Sequence, residues 1–215
     1  MKRHNDDPDD AAASRAGHST TKDGMTHSLP DEELMLQVRD GVGEMLGVLF
    51  SRYQSPLFNF YCKMTGDRAV SEDLVQDVFY RILKYRGTYQ AGTPFRTWMY
   101  HIARNARIDQ VKKQRPNKEE EWKPEMSPSI TPGDPVQSER EQKLLHQALL
   151  KLPDDKREVL VLSRFQEMKY EQIAEVMGIE VGTVKVRVFR ALQQLREVYQ
   201  ELERSGHRPR RSFGN

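Results

Sequence analysis

The sequence predicts an all-α protein: two small helical domains joined by a flexible linker, the C-terminal one a helix-turn-helix, winged-helix-like module. Three observations carry this. Apolar residues recur at spacings of three and four through residues 31–115 and again through 139–203, with no strand-like alternation. Between these blocks, residues 116–138 lose all period and hold Pro116, Pro124, Pro128, Pro132 and Pro135. Near the C-terminus, Ala174, Gly178 and Val184 fall at the spacing of two helices crossing at a tight turn.

The bulk properties suit two small modules better than one large core. The chain has 215 residues, of which 37% are hydrophobic and 31% charged, and its net charge is only +2. The single cysteine, Cys62, excludes an internal disulfide and suits a reducing compartment. The first residues lack the apolar stretch of a signal peptide, and no apolar run approaches the roughly 20 residues that span a bilayer, so a soluble, cytoplasmic protein is expected without membrane insertion. Residues 1–30 read as a disordered tail, with Met25 as an alternative start. His4, Asp6, Asp7, Asp9 and Asp10 form a solvated acidic run there rather than a metal site.

The first module opens with a helix over 31–40 (Leu34, Met35, Val38), followed by a longer one over 43–64 that Pro56 must kink or split. Gly66 and Asp67 end it. The next helix is expected to start at Ser71 as N-cap, with Glu72 and Asp73 complementing the macrodipole and Gly87 as the stop. Leu74, Val75, Val78, Phe79, Ile82 and Leu83 form its apolar stripe, opposite Asp73, Gln76, Asp77, Tyr80 and Arg81. A short loop leads to Thr93 as cap and Pro94 at the first helical position. In that helix Phe95, Trp98, Met99, Ile102, Ala106 and Val111 face inward, and Arg96, Arg104, Arg107, Lys112, Lys113 and Arg115 supply positive charge.

Residues 116–138 form an acidic, proline-rich linker (Glu119, Glu120, Glu121, Glu125, Asp134) whose 23 residues could span about 80 Å when extended. The second module begins near Glu139. Pro153 separates its first two helices, and a helix over 170–177 and one over 181–202 follow. Residues 204–215 read as a basic flexible tail.

Two segments carry chemistry. In residues 170–195, Ala174 lets two helices cross, Gly178 suits a left-handed turn, and Val184 pins the second helix to the first, with Ile173, Met177, Ile179 and Val188 completing a small core. The second helix then presents Thr183, Lys185, Arg187 and Arg190 outward, residue types that suit phosphates and guanine edges in a major groove. The basic aromatic helix over 95–115 is the other segment, because aromatic rings beside cations suit unstacked bases of single-stranded nucleic acid. No Ser-His-Asp spacing, phosphate loop or Cys/His metal pattern is present. His101 and His146 stand alone, so no enzyme activity, metal or cofactor is expected.

With these residues in place, the chain resembles an extracytoplasmic-function (ECF) RNA polymerase sigma factor of the sigma-70 family. Ser71-Glu-Asp-Leu-Val-Gln-Asp-Val-Phe79 resembles the family's polymerase-binding helix. Phe95-Arg-Thr-Trp98, Ile102-Ala-Arg-Asn105 and Asp109 resemble the helix that opens and reads the −10 element. Leu152-Pro153, Arg157-Glu-Val-Leu160, Ile173-Ala174, Gly182-Thr-Val-Lys185, Arg187 and Phe189-Arg190-Ala191 resemble the −35-reading domain. The resemblance runs from about Leu34 to Leu202. It implies that residues 31–115 are sigma domain 2 and residues 139–203 sigma domain 4.

The resemblance further implies that Asp73, Gln76, Asp77, Phe79 and Tyr80 form or support the surface that meets core RNA polymerase, at the clamp helices of its largest subunit, with the flap as a second contact. Promoter DNA at −10 would be met by Tyr89, Thr93, Trp98, Arg104, Asn105, Arg107, Lys112 and Lys113, the loop 89–93 forming a pocket for a flipped base. The −35 element would be met by Thr183, Lys185, Val186, Arg187, Phe189 and Arg190. An anti-sigma factor is a further implied partner, and a monomer is expected outside the holoenzyme. Two departures stand out. Val186 occupies a position that is often serine, which favours a thymine methyl over a polar contact. Lys169 replaces the usual Ser or Thr cap of the first motif helix, which predicts fraying at a cost of roughly 1 kcal/mol. The competing reading is a dimeric helix-turn-helix regulator that binds duplex DNA without polymerase. It leaves residues 74–115 without a task.

Overall fold

The computed structural model describes residues 28–114 and 135–206. The N-terminal tail, the linker glutamates Glu119 to Glu121 and the last nine residues lie outside the described residues, so the expectations placed on them are not addressed by the fold.

All regular structure among the described residues is helical. Four helices make the first module: α1 (Asp31–Arg39), α2 (Glu44–Thr65), α3 (Arg68–Tyr85) and α4 (Phe95–Gln114), with a 3₁₀ turn at Arg86–Thr88. The second module holds α5 (Pro135–Leu150), α6 (Asp154–Leu160) continued by a π-helical turn at Val161–Phe165, α7 (Tyr170–Met177) and α8 (Val181–Gly206). The helix expected from Glu139 therefore starts four residues earlier, with Pro135 at a first-turn position that its missing N–H tolerates.

The expected stripes build the core of the first module, except for Leu83, which is 41% exposed near the end of α3. Leu34, Met35, Leu49, Leu57, Val78, Ile82, Phe95 and Met99 are fully buried. Pro56 does not split its helix, which runs unbroken across it. Gly66 ends α2 in the left-handed conformation at φ 72°.

The start of α3 differs from expectation. Asp67, not Ser71, is the N-cap: its Oδ1 accepts the Val70 N–H at 3.0 Å. Ser71 lies one turn inside the helix, fully buried, donating to the Asp67 carbonyl at 2.5 Å and pairing with Thr65 Oγ1 at 3.0 Å. Asp67→Ala should lower the stability of the chain by about 1 kcal/mol, the usual loss of a side-chain cap. A thermal melt followed by circular dichroism checks this.

The start of α4 is capped from outside. Thr93 is not its cap; instead the Glu32 carboxylate of α1 accepts the Phe95 N–H at 3.1 Å. Val111, expected inward, is 36% exposed on the last turns of α4.

The two modules pack on one another. Helices α2 and α4 of the first face α6, the π turn and α7 of the second. This contact buries Tyr100 and Ala103, which the α4 stripe had left on its outer side. Tyr100 donates its hydroxyl to Gln166 Oε1 at 2.5 Å, and Gln166 Nε2 donates to the Pro56 carbonyl at 3.3 Å.

Candidate polymerase and promoter interfaces

On α3, Asp73, Gln76 and Tyr80 are exposed, and Tyr80 is 64% open. Phe79 lies beneath them, nearly buried, in edge contact with Phe50 at 4.8 Å between centroids. Asp77 is half-exposed. It accepts from Arg81 Nε at 2.9 Å, while the other arm of Arg81 reaches Asp109 of α4 at 2.8 Å. The Arg81 guanidinium holds the Asp109 carboxyl below its ordinary range through their hydrogen bond. The face is thus an acidic arc with one aromatic ring standing out of it, and its backing ion pairs fix Asp77 in place.

The loop before α4 is built on aromatic packing. Tyr89 is buried, edge-on to Trp98 at 5.2 Å and to Phe95 at 6.4 Å, and its hydroxyl donates to the Thr93 carbonyl at 2.5 Å. Burial pushes its phenol up to about 12. The Tyr89 ring therefore supports the loop from inside, and Gln90, Ala91 and Gly92 form its exposed rim. Gly92 sits at φ 86°, which a side chain would resist.

Along α4 the expected −10 residues divide into two groups. Asn105 is partly exposed, with its amide 3.5 Å from His101 Nδ1, and Lys112 and Lys113 are exposed. Arg104 and Arg107 are engaged by the second module. Arg107, only 6% exposed, reaches Asp154 of α6 at 2.8 Å, and Arg104 reaches Glu158 at 3.3 Å. Glu158 is buried, and that desolvation raises its carboxyl despite the two arginines beside it. This use of the arginines was not legible in the sequence, because helical period shows which residues share a face but not what covers that face.

The helix-turn-helix spacing is realised in full. Ile173, Ala174, Met177, Val184, Val188 and Ala191 are buried, and Gly178 takes the left-handed turn at φ 65°. Lys169 offers no side-chain acceptor to the first-turn N–H groups of α7, as its residue type predicts, but its own N–H donates to Gln172 Oε1 at 3.1 Å, the reciprocal half of a capping box. The glutamine three residues on was the sequence signal for this. On α8, Thr183, Lys185, Val186, Phe189 and Arg190 are exposed, Val186 at 48% and Phe189 at 62%. Arg187 leans back towards Asp155 at 3.8 Å, and Lys156 donates to Gln194 at 2.7 Å, so polar contacts tie α8 to α6.

No group of three or more His, Cys, Asp or Glu among the described residues could hold a metal ion, and no helix among them is long and apolar enough to cross a membrane.

Comparison with known proteins gives this geometry a family. Residues 49–116 match the family described as "Sigma-70 region 2", and residues 142–195 match "Sigma-70, region 4". The chain is 34% identical over 174 residues to the RNA polymerase sigma factor CarQ of Myxococcus xanthus, covering 79% of this chain and 97% of that one. It is 30% identical over 155 residues to the ECF RNA polymerase sigma factor SigM of Bacillus subtilis, covering 70% and 93%. Its fold is similar to that of CnrH, solved with the cytosolic domain of CnrY, at a TM-score of 0.63 and 23% identity over 80% of this chain and 97% of that one. It is also similar to the sigma factor RpoE solved with the anti-sigma factor NepR from Bartonella quintana, at 0.59 and 23% over 70% and 94%. The acidic face of α3 and the basic aromatic helix α4 fall within the region 2 match, the uncovered arc of α8 falls within the region 4 match, and the chain belongs to the ECF sigma factors of the sigma-70 family.

Proposed function

We propose that this sigma factor binds core RNA polymerase through the acidic arc of α3 and directs promoter-specific initiation by reading two DNA elements with two modules. The observation that carries this reading is the state of α8. Its inner face is locked into the helix-turn-helix core, while Thr183, Lys185, Val186, Phe189 and Arg190 stand uncovered on the opposite side. A rigid helix with an open basic arc is the form that enters a major groove. This arc takes the −35 duplex, with Val186 placed for a thymine methyl.

The −10 strand is taken by α4 and the loop before it. Asn105 faces bases, Arg104, Arg107, Lys112 and Lys113 take phosphates, and the rim of the 89–93 loop receives an unstacked base. Tyr89 and Trp98 hold that loop from beneath. Asp73, Gln76, Asp77 and Tyr80 meet basic groups of the polymerase clamp, with Phe79 supporting the surface. Sigma domain 2 then corresponds to residues 31–115 and sigma domain 4 to residues 139–203. An anti-sigma protein is a further partner, in keeping with the RpoE complex.

The regulator reading finds less support, because it gives no task to the region 2 match. Permanganate footprinting of the −10 region in a reconstituted holoenzyme tests the division of labour. Asn105→Ala should reduce thymine reactivity while leaving protection of the −35 duplex intact. Undiminished reactivity would remove Asn105 from strand capture.

A further inference from the structure

We infer that the centre of the α8 arc reads methyl groups: Val186 and Phe189 together take the 5-methyls of two thymines in consecutive base pairs of the −35 duplex, with Lys185 and Arg190 holding that duplex on either side. The inference deepens the assignment of α8 to the −35 major groove and rests on it.

Helical geometry sets these four side chains in order. At about 100° per residue, with Val184 as zero, Val188 falls at about 40° and Ala191 at about 340°. All three are buried, so they mark the face that packs inward. By the same turn, Lys185 falls at about 100°, Phe189 at about 140°, Val186 at about 200° and Arg190 at about 240°. The two apolar side chains thus straddle the outward pole of the helix, and the two cations flank them. Phe189 is 62% exposed and Val186 48%, so both present carbon to whatever enters. Arg187 lies beyond Arg190, away from the pair, and leans towards Asp155 at 3.8 Å. Gly182 occupies the same outer line one turn earlier. A Cβ there would meet no atom of the described residues within 4 Å, so packing makes no demand for glycine. Its bare backbone lets a duplex come close beside the pair.

The chemistry of the pair selects its ligand. Neither side chain donates or accepts a hydrogen bond, so neither can tell apart the polar edges of guanine, adenine or cytosine. The apolar group that a base pair displays in the major groove is the thymine methyl. Side chains three apart on a helix are neighbours, with about 5–6 Å between their Cβ atoms. One base-pair step rises by about 3.4 Å and two steps by about 6.8 Å, so the pair fits methyls on consecutive base pairs rather than on pairs further apart.

The test uses reconstituted holoenzyme. A duplex pool randomised over the −35 element is selected for binding. The preferred duplex is then remade with each thymine of the element replaced singly by deoxyuridine. This removes the methyl and leaves the base-pairing edge and the major-groove acceptor in place. Affinity should fall about fourfold at two consecutive base pairs, the loss expected for one buried methyl group at each. Replacing both should cost about fifteenfold, the product of the two. Val186→Ala should cut the uracil effect to less than about twofold at one of these positions, and Phe189→Ala at the other. Both side chains are exposed, so the variants should melt like the parent. A selected element without thymines in consecutive base pairs overturns the inference. So does uracil accepted at no loss. So does a uracil effect that both variants keep in full, which assigns it to duplex shape rather than contact. If the holoenzyme enriches no −35 element, the assignment of α8 itself falls and takes the inference with it.

Discussion

Arg190→Ala in the holoenzyme should cost about 1–3 kcal/mol at a cognate promoter and relax preference at one −35 position. Lys185→Ala should instead weaken all promoters about equally and lower the salt dependence of binding by about one unit of log–log slope. The two side chains are five residues apart on α8, hence about 140° apart around the axis, so both cannot point straight into one groove. Both are exposed. Arg carries the planar fork that fits guanine O6 and N7, whereas Lys acts as a point charge. The structure adds a constraint on their neighbour: Arg187, lying between them, is drawn back towards Asp155 and is the less available cation. Selection of −35 variants with each mutant holoenzyme decides the matter. A change of preference with Lys185→Ala and none with Arg190→Ala reverses the roles, and no change with either removes α8 as the reader.

Asp77→Arg should weaken binding to core polymerase by about tenfold, roughly 1.4 kcal/mol, because it places a cation against a basic surface. The fold should survive. Arg81 loses one carboxylate but keeps Asp109 at 2.8 Å, and the core beneath is carried by Leu74, Val78 and Ile82, which the substitution does not touch. A pull-down with purified core, read beside an unchanged melting profile, measures this. Undiminished recovery would place the polymerase surface elsewhere on the first module.

The helical modules and the helix-turn-helix were legible because each rests on short-range spacing. Ala174, Gly178 and Val184 specify a crossing and a turn within a dozen residues, and nothing distant alters that geometry. Caps were harder. Ser71 followed by two acids reads as a helix start, but Asp67 four residues earlier offers its carboxylate first, and Ser71 is drawn inward by Thr65. The Glu32 cap of α4 comes from 63 residues away and leaves no local trace. The largest gap concerned the outer face of α4. Tyr100, Ala103 and Arg107 follow the period of a face expected to be wet, and they are buried because a second module lies on them. That a proline-rich linker permits such a contact follows from its composition; that Asp154, Glu158 and Gln166 provide it does not.

Multi-round transcription from a randomised promoter library decides whether this chain confers promoter specificity on polymerase. Core polymerase supplied with the chain should yield transcripts from a small set of templates sharing paired −35 and −10 motifs, and core alone should not. The chain alone should bind those templates weakly as duplex and remain monomeric in gel filtration. Tight duplex binding by a dimer, with no template enriched in the presence of core, would contradict the account.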